Sequence, residues 1–194
     1  TPTVAVVGLL EERSFHTTQW FKEDGDLVGL IGLTLEEFGG SEYLNIVCGR
    51  VEGQPPHLDL RSAKSVNRLC LELIRKRFLA SAHDCSEGGL AVAIAESCIS
   101  HPLVPKGATL DIDSMLRNDA VLFGESQSRI LISFSAKDRL AVEGVAEAME
   151  VPFAVIGKVG GNSLIVNING KEFIRKDISH LKQLWFGALE AYVG

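Results

Sequence analysis

The sequence has 194 residues, of which 46% are hydrophobic and 23% are charged, an ordinary composition for a globular protein. This composition excludes a disordered chain, a collagen-like chain and a small disulfide scaffold. Nineteen Lys and Arg residues against twenty-five Asp and Glu residues give a net charge of −6. General nucleic-acid binding is therefore not expected, because it depends on neutralising phosphates.

Targeting signals and metal motifs are not evident in the sequence. No apolar run approaches the roughly 20 residues that a membrane span needs, and the start has no basic region typical of a signal peptide. We therefore expect a cytoplasmic protein without a membrane partner. The start also lacks Met, which a removed Met, a trimmed start or excision from a longer protein would each explain. The cysteines have neither zinc nor disulfide spacing; they are Cys48, Cys70, Cys85 and Cys98.

The first part of the chain is predicted to contain strands, turns and little helix. The apolar run 4–10 predicts a buried strand, and the polar residues 11–21 predict a loop. A turn over 22–26 leads to a second strand over 27–33. Residues 39–43 carry paired glycines, which are unfavourable inside a helix, so a turn is expected there.

Four amphipathic helices follow from apolar residues spaced i, i+3, i+4 and i+7. They cover approximately residues 62–77, 90–98, 140–149 and 178–189. Trp185 lies on the apolar side of the last helix, and we expect it to belong to the core.

The remaining predicted strands complete one domain. They cover residues 109–112, 129–134, 155–159 and 163–168. Gly160-Gly161-Asn162 separates the last two and is typical of a hairpin turn. No linker divides the chain, so we predict one α+β domain over residues 1–194, a mostly antiparallel sheet with helices packed on one face.

The first candidate site is the turn over residues 81–90, which leads into the second predicted helix. Ser86 is a plausible N-cap, with Gly88 and Gly89 in the first turn. Each glycine there weakens a helix by up to ~1 kcal/mol, so a compensating role is expected. Free N–H groups at the helix start would suit a phosphate. The alternative is that the glycines only permit tight packing of the helix.

The same turn contains side chains that could carry out acid–base or nucleophilic chemistry. His83 and Asp84 are adjacent, but neighbours on a strand point to opposite faces, so a triad with Ser86 is not favoured. A nucleophilic Cys85 would need a base, and none can be named. We therefore interpret Cys85 as structural.

The second candidate site is the segment over residues 122–129, just before a predicted strand. It combines a carboxylate, hydroxyls, an amide and a guanidinium, and Arg129 offers a fork suited to carboxylate or phosphate. The alternative is a polar loop in which Glu125 pairs with Arg129. A third segment, residues 38–43, could form an anion nest but more simply forms a turn. The isolated histidines are interpreted as ordinary surface or loop residues; they are His16, His57, His101 and His180.

Four segments together resemble one enzyme family. TPTVAVVGLLEE (1–12), GGSEYL (39–44), SAHDCSEGGLAVA (81–93) and LFGESQSR (122–129) occur in the order found in phosphoribosylformylglycinamidine synthase of purine biosynthesis. The resemblance is to the last domain of that enzyme, an aminoimidazole-ribonucleotide-synthetase-like C-terminal domain. Cys85 stands where an apolar residue such as Val is expected, a change we interpret as neutral for packing.

The resemblance implies an ATP-dependent carbon–nitrogen ligase of which this chain is a fragment, inactive alone. ATP and Mg²⁺ serve the complete enzyme, no cofactor is expected to bind this domain tightly, and the catalytic and metal-binding groups are expected upstream. The implied partners are the upstream domains, a glutaminase subunit and a small bridging subunit. The residues implied to face or adjoin a substrate or nucleotide cleft are His83, Asp84, Ser86, Gly88, Gly89, Glu125, Ser126, Gln127 and Arg129.

Two other interpretations remain open. The chain could be a free-standing binding or scaffold module that keeps the fold without the chemistry. It could also belong to a related synthetase, such as aminoimidazole ribonucleotide synthetase or a selenophosphate-synthetase-like protein, although the segments at 81–93 and 122–129 argue against this.

Overall fold

The computed structural model describes residues 4–193, with side chains as far as residue 188. Its strands form one sheet in the order β2-β4-β1-β5-β3-β6-β7. The strands are β1 Leu27–Ile31, β2 Leu79–Asp84, β3 Ala108–Ile112, β4 Ile130–Phe134, β5 Phe153–Val159, β6 Ser163–Ile168 and β7 Lys171–Asp177. The helices are α1 Glu42–Cys48, α2 Leu60–Arg75, α3 Gly89–Ile99, α4 Asn118–Phe123, α5 Arg139–Ala148 and α6 Ile178–Val193.

The sheet is mostly antiparallel, as the sequence predicts. Every pairing among the described strands is antiparallel except that of β3 with β6. The α+β class is therefore confirmed. Among the described residues, no helix has the length and apolarity needed to cross a bilayer.

Helices cover both faces of the sheet, which corrects the prediction of a single covered face. Alternate side chains of a strand point to opposite faces, and both sets are apolar here. On β4, Leu131 packs into a first core with α3, α4 and the start of α6. Its neighbour Ile132 packs into a second core with α2 and α5. A sheet whose central strands are apolar on both sides needs a helical layer on each.

The two helical layers differ in how their helices are buried. In α2, one stripe that includes Leu69 and Leu73 is buried and the opposite side is polar. The carboxylate of Asp59 caps its start by accepting the N–H of Arg61 at 2.8 Å. In α3, buried residues occur around most of the helix, because it lies between the sheet, α4 and α6.

Residues 4–10 do not form the predicted buried strand. They have no regular secondary structure and are exposed. An apolar run becomes buried only when another apolar surface packs against it. Among the described residues, no such surface packs against residues 4–10. Thr1 to Thr3 and Gly194 lie outside the described residues.

The predicted hairpin at Gly160-Gly161-Asn162 is also wrong. Strand β3 lies between β5 and β6, so these two strands do not pair. The hairpin of this region joins β6 to β7 at Asn169-Gly170, where φ is 51° and 74°. Asn-Gly is a favoured pair for such a turn, but the charged strand β7 after it was not predicted.

The last helix is less buried than its apolar pattern predicts. Ile178 and Leu181 pack on the first core, but Leu184, Trp185 and Phe186 are exposed. The expectation that Trp185 is core is therefore wrong, because the described side chains of α6 that pack on the core are in its first turns. The side chain of Leu189, also in the predicted stripe, lies outside the described ones.

Candidate functional site

The carboxylate of Glu125 links the starts of two helices. Its Oε1 accepts the N–H of Gly88, at the start of α3, at 2.8 Å. The same oxygen accepts the N–H of Glu42, the first residue of α1, at 3.0 Å. The N–H groups at a helix start carry partial positive charge and favour an anion. In this protein that anion is a side chain of the chain itself.

The start of α3 differs from the prediction. Gly88, with φ of 77°, is the N-cap, and Ser86 is not. The N–H of Gly89 donates to the carbonyl oxygen of Ser86 at 3.0 Å. The N–H groups of both glycines therefore already have partners, which changes the expectation that they are free for a phosphate.

Close packing explains why glycine stands at position 89. A Cβ there would lie 2.5 Å from the carbonyl oxygen of Gly124, and φ is 65°. Both the backbone conformation and the contact exclude a larger residue. The alternative considered for these glycines, tight packing at the start of the helix, is therefore what the geometry supports.

Ser126 and Arg129 fix the backbone around Glu125. The Ser126 hydroxyl accepts the N–H of Leu35 at 2.9 Å and donates to the carbonyl of Leu35 at 3.2 Å. The Arg129 side chain is 1% exposed and donates to the carbonyls of Ser126 and Gly124 and to the hydroxyl of Thr34. Burial lowers the pKa of its guanidinium. Its donors thus face protein oxygens, not the Glu125 carboxylate and not solvent.

Gln127 lies at a cleft of about 400 Å³ beside these residues. The cleft combines an apolar floor with polar side chains at the start of α2, a mixture typical of small-molecule sites. Sequence reasoning missed the α2 side, although Pro56 and the N-cap Asp59 before an apolar stripe could have signalled it. The lining residues are Gly32, Leu33, Leu35, His57, Asp59, Arg61, Ser62, Ser65, Val66, Gln127, Ser128, Glu150, Val151 and Pro152.

Glu37 connects the cleft with Glu125. Its Oε1 accepts the N–H of His57 at 2.9 Å, and its backbone carbonyl accepts the N–H of Glu125 at 3.1 Å. The other carboxylate oxygen, Oε2, is buried and has no hydrogen-bond partner among the described residues. A buried acceptor without a partner is unfavourable. Glu37 therefore has a carboxylate oxygen next to the cleft that can still accept a hydrogen bond.

The remaining candidates form a separate cluster. The His83 imidazole Nε2 lies 2.7 Å from the Glu96 carboxylate, and its Nδ1 lies 3.4 Å from Asp84. The Ser86 hydroxyl donates to Asp84, a bond that lowers the pKa of that carboxyl. Because Ser86 bonds to the carboxylate and not to the imidazole, a serine nucleophile activated by His83 is not assembled.

This histidine cluster borders a shallow depression next to Trp20 and shares no lining residue with the cleft at Gln127. The structure thus divides the predicted site residues into three groups. The first, which we call the Glu125 clamp, consists of Glu125 with Gly88, Gly89, Ser126 and Arg129. The second is the cleft side chain Gln127, and the third is the cluster of His83, Asp84 and Ser86.

The Cys85 side chain is buried in the first core. Burial raises the pKa of the Cys85 thiol to about 11, so the thiol is neutral at physiological pH. This supports the structural interpretation of Cys85. Among the described side chains, which end at residue 188, no group of three or more His, Cys, Asp or Glu side chains is arranged to hold a metal ion.

Comparisons with known proteins cover nearly the whole chain. A family model described as AIR synthase related protein, C-terminal domain, matches residues 23–168. A protein from Alkaliphilus metalliredigens named phosphoribosylformylglycinamidine synthase subunit PurL is 42% identical over 190 residues, which are 98% of this chain and 25% of that protein. One of the same name from Moorella thermoacetica is 43% identical over 185 residues, 95% of this chain and 25% of that protein. The chain therefore spans about a quarter of the length of these curated relatives.

Solved structures share the fold. T. maritima PurL complexed with FGAR aligns with a TM-score of 0.75 at 17% identity, covering 88% of this chain and 30% of that chain. T. maritima PurL complexed with ATP gives 0.68 at 17% identity, over 88% and 28%. The structure of PurLQS from Thermotoga maritima gives 0.67 at 15% identity, over 88% and 28%. Identities this low establish the similarity of fold alone.

Proposed function

Because this chain belongs to the family of AIR synthase related protein C-terminal domains, we propose that it is the C-terminal domain of a phosphoribosylformylglycinamidine synthase. The observation that carries the proposal is the 42% identity over 98% of this chain with a protein of that name. Residues 1–194 then form one domain of a cytoplasmic polypeptide about four times as long, and the domain is inactive by itself.

The proposed reaction of the complete polypeptide is an ATP-dependent amidation. Formylglycinamide ribonucleotide reacts with ammonia, the carbonyl oxygen of its glycinamide group leaves as phosphate, and ATP is converted to ADP. T. maritima PurL has been solved with FGAR and with ATP, which supports both as ligands of the complete enzyme. We place the Mg²⁺ ligands in the other domains, as the resemblance to the family implies.

The role proposed for this domain is to form one wall of a substrate or nucleotide cleft. Gln127 and Arg61 line the 400 Å³ cleft and supply a neutral donor and a cation for a phosphorylated ligand. Glu125, with Gly88 and Ser126, sets the position of the cleft backbone. Arg129 supports that arrangement from the interior.

The proposed partners are the upstream domains, a glutaminase and a small bridging subunit. The T. maritima PurLQS structure shows a homologous fold inside a multi-component assembly, which supports this proposal. The glutaminase would supply the ammonia that the amidation consumes.

The test is to express the complete reading frame that contains this chain and to measure its intact mass and its activity. Formylglycinamide ribonucleotide, ATP, Mg²⁺ and an ammonium salt are supplied, and the amidine product is measured by mass spectrometry. We expect amidation by the complete polypeptide and none by residues 1–194. A native product of about 194 residues would contradict the proposal and favour a free-standing binding module.

The cleft assignment has its own test in the complete polypeptide. Arg61→Ala and Gln127→Ala are expected to weaken binding of ADP with Mg²⁺, or to raise the KM for the ribonucleotide. Arg68→Ala, on the same helix but outside the cleft, serves as the matched control. Unchanged binding and KM in both cleft variants would contradict the assignment.

A further inference from the structure

The segment over residues 4–10 is apolar and wholly exposed. Val6 is 90% exposed and Leu9 is 100% exposed. No hydrogen bond among the described residues involves this segment. Contiguous exposed apolar side chains of this kind mark a surface that is covered by a partner.

Ion pairs fix the point where the segment leaves the domain. The carboxylates of Glu11 and Glu12 lie 3.7 Å and 3.9 Å from the guanidinium groups of Arg75 and Arg77, at the end of α2. Exposed pairs of this kind contribute little to stability. The apolar residues that precede them belong to neither core.

The composition of the segment fits a strand covered on both faces. In an extended chain, Val4 and Val6 point to one side while Val7 and Leu9 point to the other, so neither side is polar. Strands with two apolar sides occur inside sheets that have a layer on each face.

Both edges of the sheet of this domain are unfavourable for such a strand. Along the β2 edge, the carbonyl of Thr18 already accepts the N–H of Ala82 at 3.1 Å. The opposite edge, β7, is exposed and carries charged side chains at both ends, such as Lys171 and Lys176, which disfavour the pairing of an apolar strand. The groove between α2 and α5, near Arg75, would cover only one side of the segment.

We propose that residues 4–10 form a strand within a sheet of the upstream part of the same polypeptide, buried there on both faces. This inference rests on the proposed function, because it requires the remaining three quarters of a chain as long as the relatives. The segment would then join the two parts through backbone hydrogen bonds as well as apolar contacts.

The experiment places a cysteine on each side of the segment in the complete polypeptide. Val6→Cys and Val7→Cys are made in a Cys48→Ser background, since Cys48 is exposed. Leu103→Cys is the matched control, because Leu103 is an equally exposed apolar residue in a loop. Maleimide labelling is expected to be at least about tenfold slower at both test positions than at the control. Amide hydrogen exchange across residues 4–10 is expected to be slow.

A smaller slowing at either position, or rapid amide exchange in the segment, would overturn the inference. Protection on one side alone would identify a one-faced site such as the α2–α5 groove and would also overturn it. Amidation by the wild-type polypeptide is measured on the same preparation. Activity with rapid labelling defeats only this inference, whereas a lack of activity defeats the proposed function whatever the labelling shows.

Discussion

At the scale of single residues, Glu125 is the side chain on which the arrangement of the site depends. One carboxylate oxygen joins α1, α3 and the segment before β4, which are distant in the sequence. The sequence identified Glu125 and Gly88 as candidates but could not show that they contact each other, because that contact depends on tertiary packing. That these residues belong to a functional site stays a prediction; the structure adds that Glu125 and Gly88 contact each other.

Replacing Glu125 should destabilise the domain. Glu125→Ala removes both charge-assisted hydrogen bonds and is expected to lower the free energy of unfolding by about 2–4 kcal/mol. Glu125→Gln keeps an acceptor oxygen and should cost about half as much. Urea denaturation measures both, and Glu87→Ala, which removes a neighbouring exposed carboxylate, is the control. Equal stability of Glu125→Ala and the control would refute the role of the clamp.

Asp26 should make stability depend on pH. Burial raises the pKa of its carboxyl, and its Oδ2 has no hydrogen-bond partner among the described residues. The folded state therefore binds the proton more tightly than the unfolded state, so this group favours folding more as the pH falls from neutral toward its folded pKa.

Asp26→Asn is accordingly expected to raise the free energy of unfolding at pH 7, with a smaller gain near pH 4. Urea midpoints at the two pH values give this difference. Asp113→Asn, at an exposed carboxyl, is the matched control. A gain for Asp26→Asn that is the same at both pH values would be inconsistent with the assigned shift.

At the scale of elements, side-chain periodicity predicted those helices and strands whose pattern of burial is visible in their own sequence. The apolar stripe of α2 and the strands β1 and β4 follow from side-chain periodicity, and the structure confirms them. The short helix α1 was missed because its glycine-rich approach, residues 39–40, dominates the pattern. Strand β7 was missed because an exposed edge strand has no apolar face to detect. The periodicity of apolar side chains does not show which strands pair or on which face of the sheet each helix packs.

Alanine substitutions at Gly89, the first residue of α3, and at Gly170, in the β6–β7 turn, should lower stability to different extents. Gly170 and Gly89 both have positive φ, which costs an L-residue about 1–2 kcal/mol. A Cβ at Gly170 meets open space, whereas one at Gly89 would lie 2.5 Å from a carbonyl oxygen. Gly89→Ala should therefore lower the melting temperature clearly more than Gly170→Ala, as measured by calorimetry. The reverse order would show that the contact at Gly124 is unimportant.

At the scale of the whole molecule, the two cores on either side of the sheet bury three of the four cysteine thiols. Cys48 is exposed, while Cys70, Cys85 and Cys98 are buried. Burial raises the pKa of Cys70 and Cys85 to about 11, so these thiols are both covered and protonated at neutral pH. Thiol chemistry can therefore report on opening of the cores.

One thiol should react rapidly in the folded protein. A disulfide reagent such as dithionitrobenzoate is expected to modify Cys48 at once and the other three only in denaturant. Cys48→Ser should abolish the rapid phase. Rapid reaction of more than one thiol in the native protein would show that a core opens without global unfolding.

The order of the strands has a kinetic consequence. Of all the pairings in the described sheet, only that of β6 with β7 joins consecutive strands. β1 pairs with β4 and β5, and β3 pairs with β5 and β6, all of which come later in the sequence. Most of the pairings therefore close loops over long sequence separations. Such closures slow folding. On a ribosome, β1 to β3 emerge without partners. β4 can then pair with β1 and β2, β5 joins β1 to β3, and β6 and β7 complete the sheet as its one hairpin of consecutive strands.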